Sequence, residues 1–311
     1  MTNAVAGQGV SGADNTPRGI MLVICAILIF GVQDAVAKIL VQTWSPMQIS
    51  MMRYWAFGLL SLLLVMRQAP LRQAFKSALP KWQIARGLLL VADIWCFAMA
   101  IRTVPLAELQ SISMIYPLLV TLIAIPVLGE RVGVFRISAI LVGFVGVLVI
   151  LRPGGLAIDE GVYFAITAMV FYGCYIVCTR KVAQVDSTAT SMVYVGVIGL
   201  VLTSVVGVFF WQPMGWDGVL MAAVVMVTTV TAHTLMMIAL RYAPASVLQP
   251  FNYLALPWAI VLSIVVFGHM IDFISFIGAT IIVGAGLVIW ARERQRKVFV
   301  ADPEVTPAGK E

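Results

Sequence analysis

Charge is what this sequence lacks. Lys, Arg, Asp and Glu make up 11% of its 311 residues, against roughly 25% in an ordinary soluble domain, and 61% are hydrophobic. With a mean hydropathy of +1.01, that balance excludes a soluble globular chain. Histidine occurs twice and cysteine four times. Cys25, Cys96, Cys174 and Cys178 all fall in apolar stretches, where thiols act as small hydrophobes and not as a metal or redox centre. No GxxxxGK[ST], HExxH or GxSxG run occurs, so nothing points to ATP hydrolysis on this chain or to a hydrolase. The chain is not expected to be an enzyme, and no cofactor or metal is expected. Its 20 basic residues outnumber 14 acidic ones, but they are scattered over short loops, which argues against a nucleic-acid partner. The opening MTNAVAGQGVSGADNTP also lacks the basic start of a secretory signal and reads as a disordered tail over residues 1–17.

Long apolar runs take the place of charge. Stretches such as ISAILVGFVGVLVIL (137–151) are apolar on every face, unlike the alternating strands of a membrane barrel, and the runs recur near the 20-residue length of a membrane-crossing helix. Charged and Pro/Gly breaks divide the chain into ten segments, at 19–40, 47–66, 83–101, 106–127, 134–151, 161–179, 190–211, 218–239, 245–267 and 273–291. With the N-terminus cytoplasmic, all basic residues except Lys38, Arg53, Arg102 and Arg152 fall on the cytoplasmic side. Both termini are therefore expected there.

The chain also repeats itself. ALRYAPASVLQ (239–249) echoes AIRTVPLAELQ (100–110) at an offset of 139, with Ala, Arg, Pro, Leu and Gln shared. Gly31 and Lys38 are answered by Gly173 and Arg180 at an offset of 142. The expected fold is thus an all-α integral membrane protein, its ten transmembrane helices arranged as two inverted five-helix repeats, 18–152 and 158–292, with a C-terminal tail over 293–311. Five is odd, so the second copy enters the membrane upside down, a recurring plan of secondary transporters.

The two-fold plan, RTVPLAE with GERVGVFRISAILVGFVGVLVILRPG in the first half, and RYAPASVLQPFNYLALPWA in the second, resemble the EamA-type members of the drug/metabolite transporter superfamily. Gly129-Glu130 matches that family's usual Gly-Glu pair, while the second half has Gly268-His269 instead. Asp34, Lys38, Arg53 and Arg86-Gly87 resemble a branch containing riboflavin, S-adenosylmethionine and amino-acid-derivative carriers. The resemblance implies a carrier in the cell inner membrane, with a small-molecule metabolite and the lipid bilayer as its partners. A proton as coupling ion and a second copy of the chain are compatible with it. Riboflavin uptake is the leading expectation and export of amino acids or their derivatives the alternative.

Ionisable groups in hydrocarbon cost about 2.5–3.5 kcal/mol each on insertion scales, so they face a cavity or a partner. Asp34 and Arg53 lie at similar depth from the outer face, with Lys38 at i+4 from Asp34. The three are candidates for substrate binding or gating, or for a neutralised clamp between the first two helices. Asp93, alone mid-segment, is costly to ionise and suits proton coupling or a structural hydrogen bond. Glu108, near the start of the fourth segment, and His233, in the eighth, are further coupling candidates. Tyr116 of the fourth segment and Gln249, Asn252 and Tyr253 of the ninth are further candidates for substrate binding or gating, on segments where prolines loosen the backbone and free carbonyls and amides to line a site.

Overall fold

Apolar helices with little amphipathic contrast build the molecule: side chains on their outer faces, such as Leu63, Leu141 and Val265, are as apolar as those packed inside. The computed structural model describes residues 16–67, 70–128, 134–151, 160–243 and 248–301. In chain order the helices are α1 (Thr16–Thr43), α2 (Pro46–Met66), a single turn α3 (Leu71–Ala74), α4 (Pro80–Thr103), α5 (Leu106–Ser113), α6 (Tyr116–Leu128) and α7 (Val134–Leu151). After these come α8 (Glu160–Val182), α9 (Thr188–Phe209), α10 (Trp216–Tyr242), a 3-10 turn (Gln249–Leu254), α11 (Ala255–Phe267) and α12 (Phe273–Ala301). Among the described residues seven helical segments are long and apolar enough to cross a membrane. Three shorter apolar helices, Ile137–Ile150, Phe251–Phe267 and Phe273–Val288, accompany them. The Gly129-Glu130 pair and Pro244 lie outside the described residues.

The echo in the sequence reappears in the helix bounds. Shifting α6 by 139 residues gives the limits of α11, and the same shift carries the end of α4 to the end of α10 and the start of α7 to the start of α12; a shift of 142 carries the start of α2 to that of α9. Packing follows the same rule. Helix α4 lies on α8 as α10 lies on α1, α4 on α9 as α10 on α2, and α6 on α8 as α11 on α1. Helix α2 meets its counterpart α9, and α7 its counterpart α12.

Glycines permit those last two contacts, because without a side chain the backbones approach closely. A Cβ at Gly146 of α7 would lie 2.8 Å from the Gly278 carbonyl of α12, and one at Gly278 would lie 2.6 Å from the Gly146 carbonyl. At the α2–α9 contact the Tyr54 ring occupies the space a side chain at Gly199 would need.

Two helices are broken, at corresponding places. Pro117 has no N–H for the Ser113 carbonyl, so α5 ends there and the chain tightens through Met114 and Ile115 before α6 begins. In the second half the tight 3-10 turn over 249–254, with Pro250 in its first residues, precedes α11. These breaks put non-helical backbone in the interior of the bundle, where it faces a cavity.

Candidate functional site

A cavity of about 250 Å³ lies between α1, the two broken helices, α8 and α10. Asp34, Gln110, Tyr116, Tyr172 and Asn252 give it polar edges, and Phe30, Ile27, Met114 and Met236 give it apolar walls. Gly31 makes room on α1: the Trp258 ring occupies the position of its missing side chain, and the Trp258 indole N–H donates to the Leu28 carbonyl at 2.9 Å. A larger void of about 590 Å³ is lined by Phe251, Tyr253, Leu254, Phe276, Val283 and their neighbours. It is bordered by exposed apolar side chains, among them Leu254, Phe276 and Leu287, and has no ionisable group except the Tyr253 phenol. Its walls are those of a lipid-facing groove, so size alone does not make it the site.

The aromatic wall of the smaller cavity is built by spacing. Tyr172 and Tyr175 are one turn apart on α8, their rings 5.8 Å between centroids. Tyr116 meets Tyr172 edge-on at 5.2 Å. Tyr116 shares a side-chain hydrogen bond with Asn252, which ties the two broken helices together.

Charge enters from four helices. Arg53 of α2 is within electrostatic reach of Asp34 of α1, Asp93 of α4 and His233 of α10. Among the described residues, none of the side chains of Arg53, Asp34 and Asp93 has a hydrogen bond or a salt bridge to another. Asp93 is 8% exposed. His233 is half-buried between the rings of Phe30, at 5.0 Å, and Phe57, at 4.9 Å. Its Nδ1 lies 2.8 Å from the Thr229 carbonyl. A carbonyl only accepts, so Nδ1 carries hydrogen and Nε2 is the atom left for proton exchange or a ligand.

Other expected residues are placed elsewhere. Lys38 turns to the end of α4, where Nζ donates to the carbonyls of Ile101 and Val104, each at 2.7 Å; a cation there complements the helix dipole. Glu108, in the first turn of α5, is its electrostatic neighbour. The Tyr253 hydroxyl packs into the space left by Gly286 of α12, and the ring lines the outer groove. Gln249 opens the 3-10 turn, and its side chain lies outside the described residues. The sequence reading did not single out Tyr172 or Tyr175. Their signal was the YGCY run, whose tyrosines flank Gly173, the repeat counterpart of Gly31.

Both ends of this bundle are fastened by polar contacts. At one end Gln48 of α2 donates to the Gln212 carbonyl and accepts from the Gln212 N–H, both at 2.9 Å, and the Trp44 indole donates to the Pro213 carbonyl at 3.2 Å. At the other, Asp186 in the α8–α9 turn accepts from the Ala78 N–H and Gln83 Nε2, both at 2.8 Å, and from the Ser77 hydroxyl. Residual burial works against ionisation of Asp186, but the bonds from Ser77, Gln83 and Ala78 outweigh it and hold its carboxyl below the usual carboxylate range.

The profile of the EamA-like transporter family matches residues 17–152 and again 159–291. A riboflavin transporter of Vibrio cholerae is 27% identical over 286 residues, covering 90% of this chain and 96% of its own. A second riboflavin transporter, of Rhizobium johnstonii, is 26% identical, covering 72% of this chain and 74% of its own. An S-adenosylmethionine uptake transporter of Rickettsia prowazekii is 20% identical, over 89% of this chain and 94% of its own. A solved crystal structure 19% identical in sequence superposes with a TM-score of 0.61 over 90% of this chain and 98% of its own, a likeness of fold alone.

Proposed function

The chain belongs to the EamA-like transporter family, and from that premise we propose that it carries riboflavin into the cell through the inner membrane by alternating access. One observation carries the reading: Asp34 lines the interior cavity, Arg53 is within electrostatic reach of both Asp34 and Asp93, and none of the three side chains has a hydrogen bond or salt bridge among the described residues. Unpaired charges in hydrocarbon are too costly to keep for packing alone, and a site that admits water, a proton and a polar solute accounts for them. The tyrosines of α6 and α8, with Asn252, offer ring faces and hydrogen bonds to a flat solute. Riboflavin takes first place because a riboflavin carrier is among the relatives that match nearly the whole chain.

Alternation follows from the pairing of halves. The repeated bounds and the mirrored contacts support two inverted five-helix units related by an axis in the membrane plane, which have two near-equivalent packings open to opposite sides. Basic side chains cover aromatic rings at one end of the bundle: Arg18 over Tyr242, Lys181 over Trp82 and Arg292 over Phe135. That end is the cytoplasmic one in our reading, with both termini on it. Asp93 is the proposed proton carrier.

S-adenosylmethionine is the competing cargo, favoured by relatives of that name and by two carboxylates around one guanidinium. Uptake of labelled riboflavin by riboflavin-auxotrophic cells, with S-adenosylmethionine and amino acids as competitors, decides between them. Saturable uptake that only riboflavin suppresses is expected. No uptake above the vector control, from protein shown to be in the membrane, removes riboflavin and turns the search to S-adenosylmethionine and to amino-acid export.

A further inference from the structure

Arg86 is a second intramembrane guanidinium, one helix turn inside the end of α4 that Asp186 fastens. It is 3% exposed. One terminal nitrogen donates to the Ser191 carbonyl of α9, and the Tyr175 ring lies 5.8 Å away. Nε is buried with no hydrogen-bond partner among the described residues, and so is the Gln83 side-chain carbonyl oxygen, three residues earlier on the same helix face. A guanidinium buried for structure alone uses its donors and faces a carboxylate. The carboxylate in reach, Asp186, instead spends its oxygens on Ser77, Ala78 and Gln83. Arg86 is therefore held in place with unspent hydrogen-bonding capacity.

We propose that Arg86 is the anion-receiving residue of the inward-open state, covered in this structure by the Asp186 latch. Opening the α8–α9 turn from the α3–α4 connection would bare Arg86 beside Tyr175, which also faces Tyr172 of the central cavity. Arg53 then serves the cavity from α2 and Arg86 serves the cytoplasmic exit. The ligand class is a solute carrying an electron-rich oxygen edge, a carboxylate or phosphate above all, next to a ring that Tyr175 can face. The inference rests on the carrier reading but not on riboflavin being the cargo.

Cys178 is a built-in reporter, because it is buried on α8 within electrostatic reach of Arg86. The test uses a full-length chain in which Cys25, Cys96 and Cys174 are replaced by Ala, in membrane vesicles of both orientations. Anionic and cationic methanethiosulfonates are compared, each rate divided by its rate with a free thiol. Cys178 should react from the cytoplasmic face, the anionic reagent about 10-fold faster than the cationic one, since a charged cleft concentrates ions of opposite sign. Arg86→Gln should bring that ratio to about one while Arg86→Lys keeps it, and Asp186→Ala should raise both rates, the anionic one more, because it opens the latch and also removes a negative charge near Arg86. A ratio at or below one with native Arg86 overturns the proposal, as does a ratio that Arg86→Gln leaves unchanged. So does a Cys178 that stays unreactive from the cytoplasmic face in the Asp186→Ala chain. No cargo is needed, so failure here is distinct from failure of riboflavin uptake.

Discussion

Asp93 and Asp186 show how surroundings divide the work of two carboxylates. Asp93 sits inside α4 near Arg53 without a hydrogen bond, whereas Asp186 is a satisfied acceptor in a turn. Asp93→Asn removes the exchangeable proton while preserving shape, so exchange of labelled for unlabelled riboflavin should persist and uncoupler-sensitive accumulation should be lost. Accumulation that survives the change would take Asp93 out of the coupling role. For Asp186 the sign runs the other way from a buried base. Its carboxyl titrates below its unfolded value near 3.9, so its contribution to the latch is complete above that pH and is lost only as pH falls further through the folded value. Labelling of Cys178, divided at each pH by that of a free thiol, should therefore be insensitive to the ionisation of Asp186 from about pH 8 to about pH 5.5 and should rise only in stronger acid. A rise in the neutral range would show that another group governs the latch.

At the scale of elements, the breaks in α5–α6 and before α11 are legible in the sequence because proline removes a donor wherever it stands. Pro117→Ala returns an N–H to the Ser113 carbonyl. It should leave thermal stability in detergent equal or higher and slow riboflavin exchange about 10-fold, the loss expected when a path-lining backbone is straightened. Unchanged exchange would make the break a packing feature. Two glycines behave differently. A side chain at Gly199 collides with the Tyr54 ring, so Gly199→Leu should destabilise by about 1–3 kcal/mol, read as a lowered melting temperature. A side chain at Gly284 meets nothing within 4 Å and opens onto the outer groove, so Gly284→Leu should melt like the parent protein. In the sequence Gly284 and Gly286 look alike, two glycines in one apolar run. Only the fold shows that Gly286 receives Tyr253 and Gly284 receives nothing.

Across the whole molecule, the all-helical membrane character and the two-fold echo were readable because membrane solvation writes itself as uninterrupted apolar length and because duplication leaves identical residues at fixed offsets; of the ten expected spans, seven helical segments among the described residues are long and apolar enough to cross a membrane and three shorter apolar helices accompany them. The membership of the site was only partly readable. Asp34, Tyr116 and Asn252 share one cavity, with Arg53, Asp93 and His233 in electrostatic contact with that region. Lys38 has the depth and spacing of a site residue, yet its long side chain reaches the carbonyls ending α4. Sequence spacing fixes a residue's height in the membrane and its face on its own helix. It does not say which neighbour a four-carbon stem will find. Tyr172 and Tyr175 were hidden for the opposite reason, since an aromatic pair in an apolar run looks like any lipid-facing pair until α6 is placed beside it.

The most direct test of the central claim is riboflavin counterflow in proteoliposomes holding the purified chain. Vesicles preloaded with unlabelled riboflavin should take up the labelled compound transiently above equilibrium, and Arg53→Ala, folded to the same elution volume, should cut the initial rate by at least about 10-fold, as loss of a charged contact to cargo requires. Counterflow absent from the parent chain would contradict riboflavin as cargo. Counterflow unaltered by Arg53→Ala would contradict the unpaired charges around the central cavity as its path.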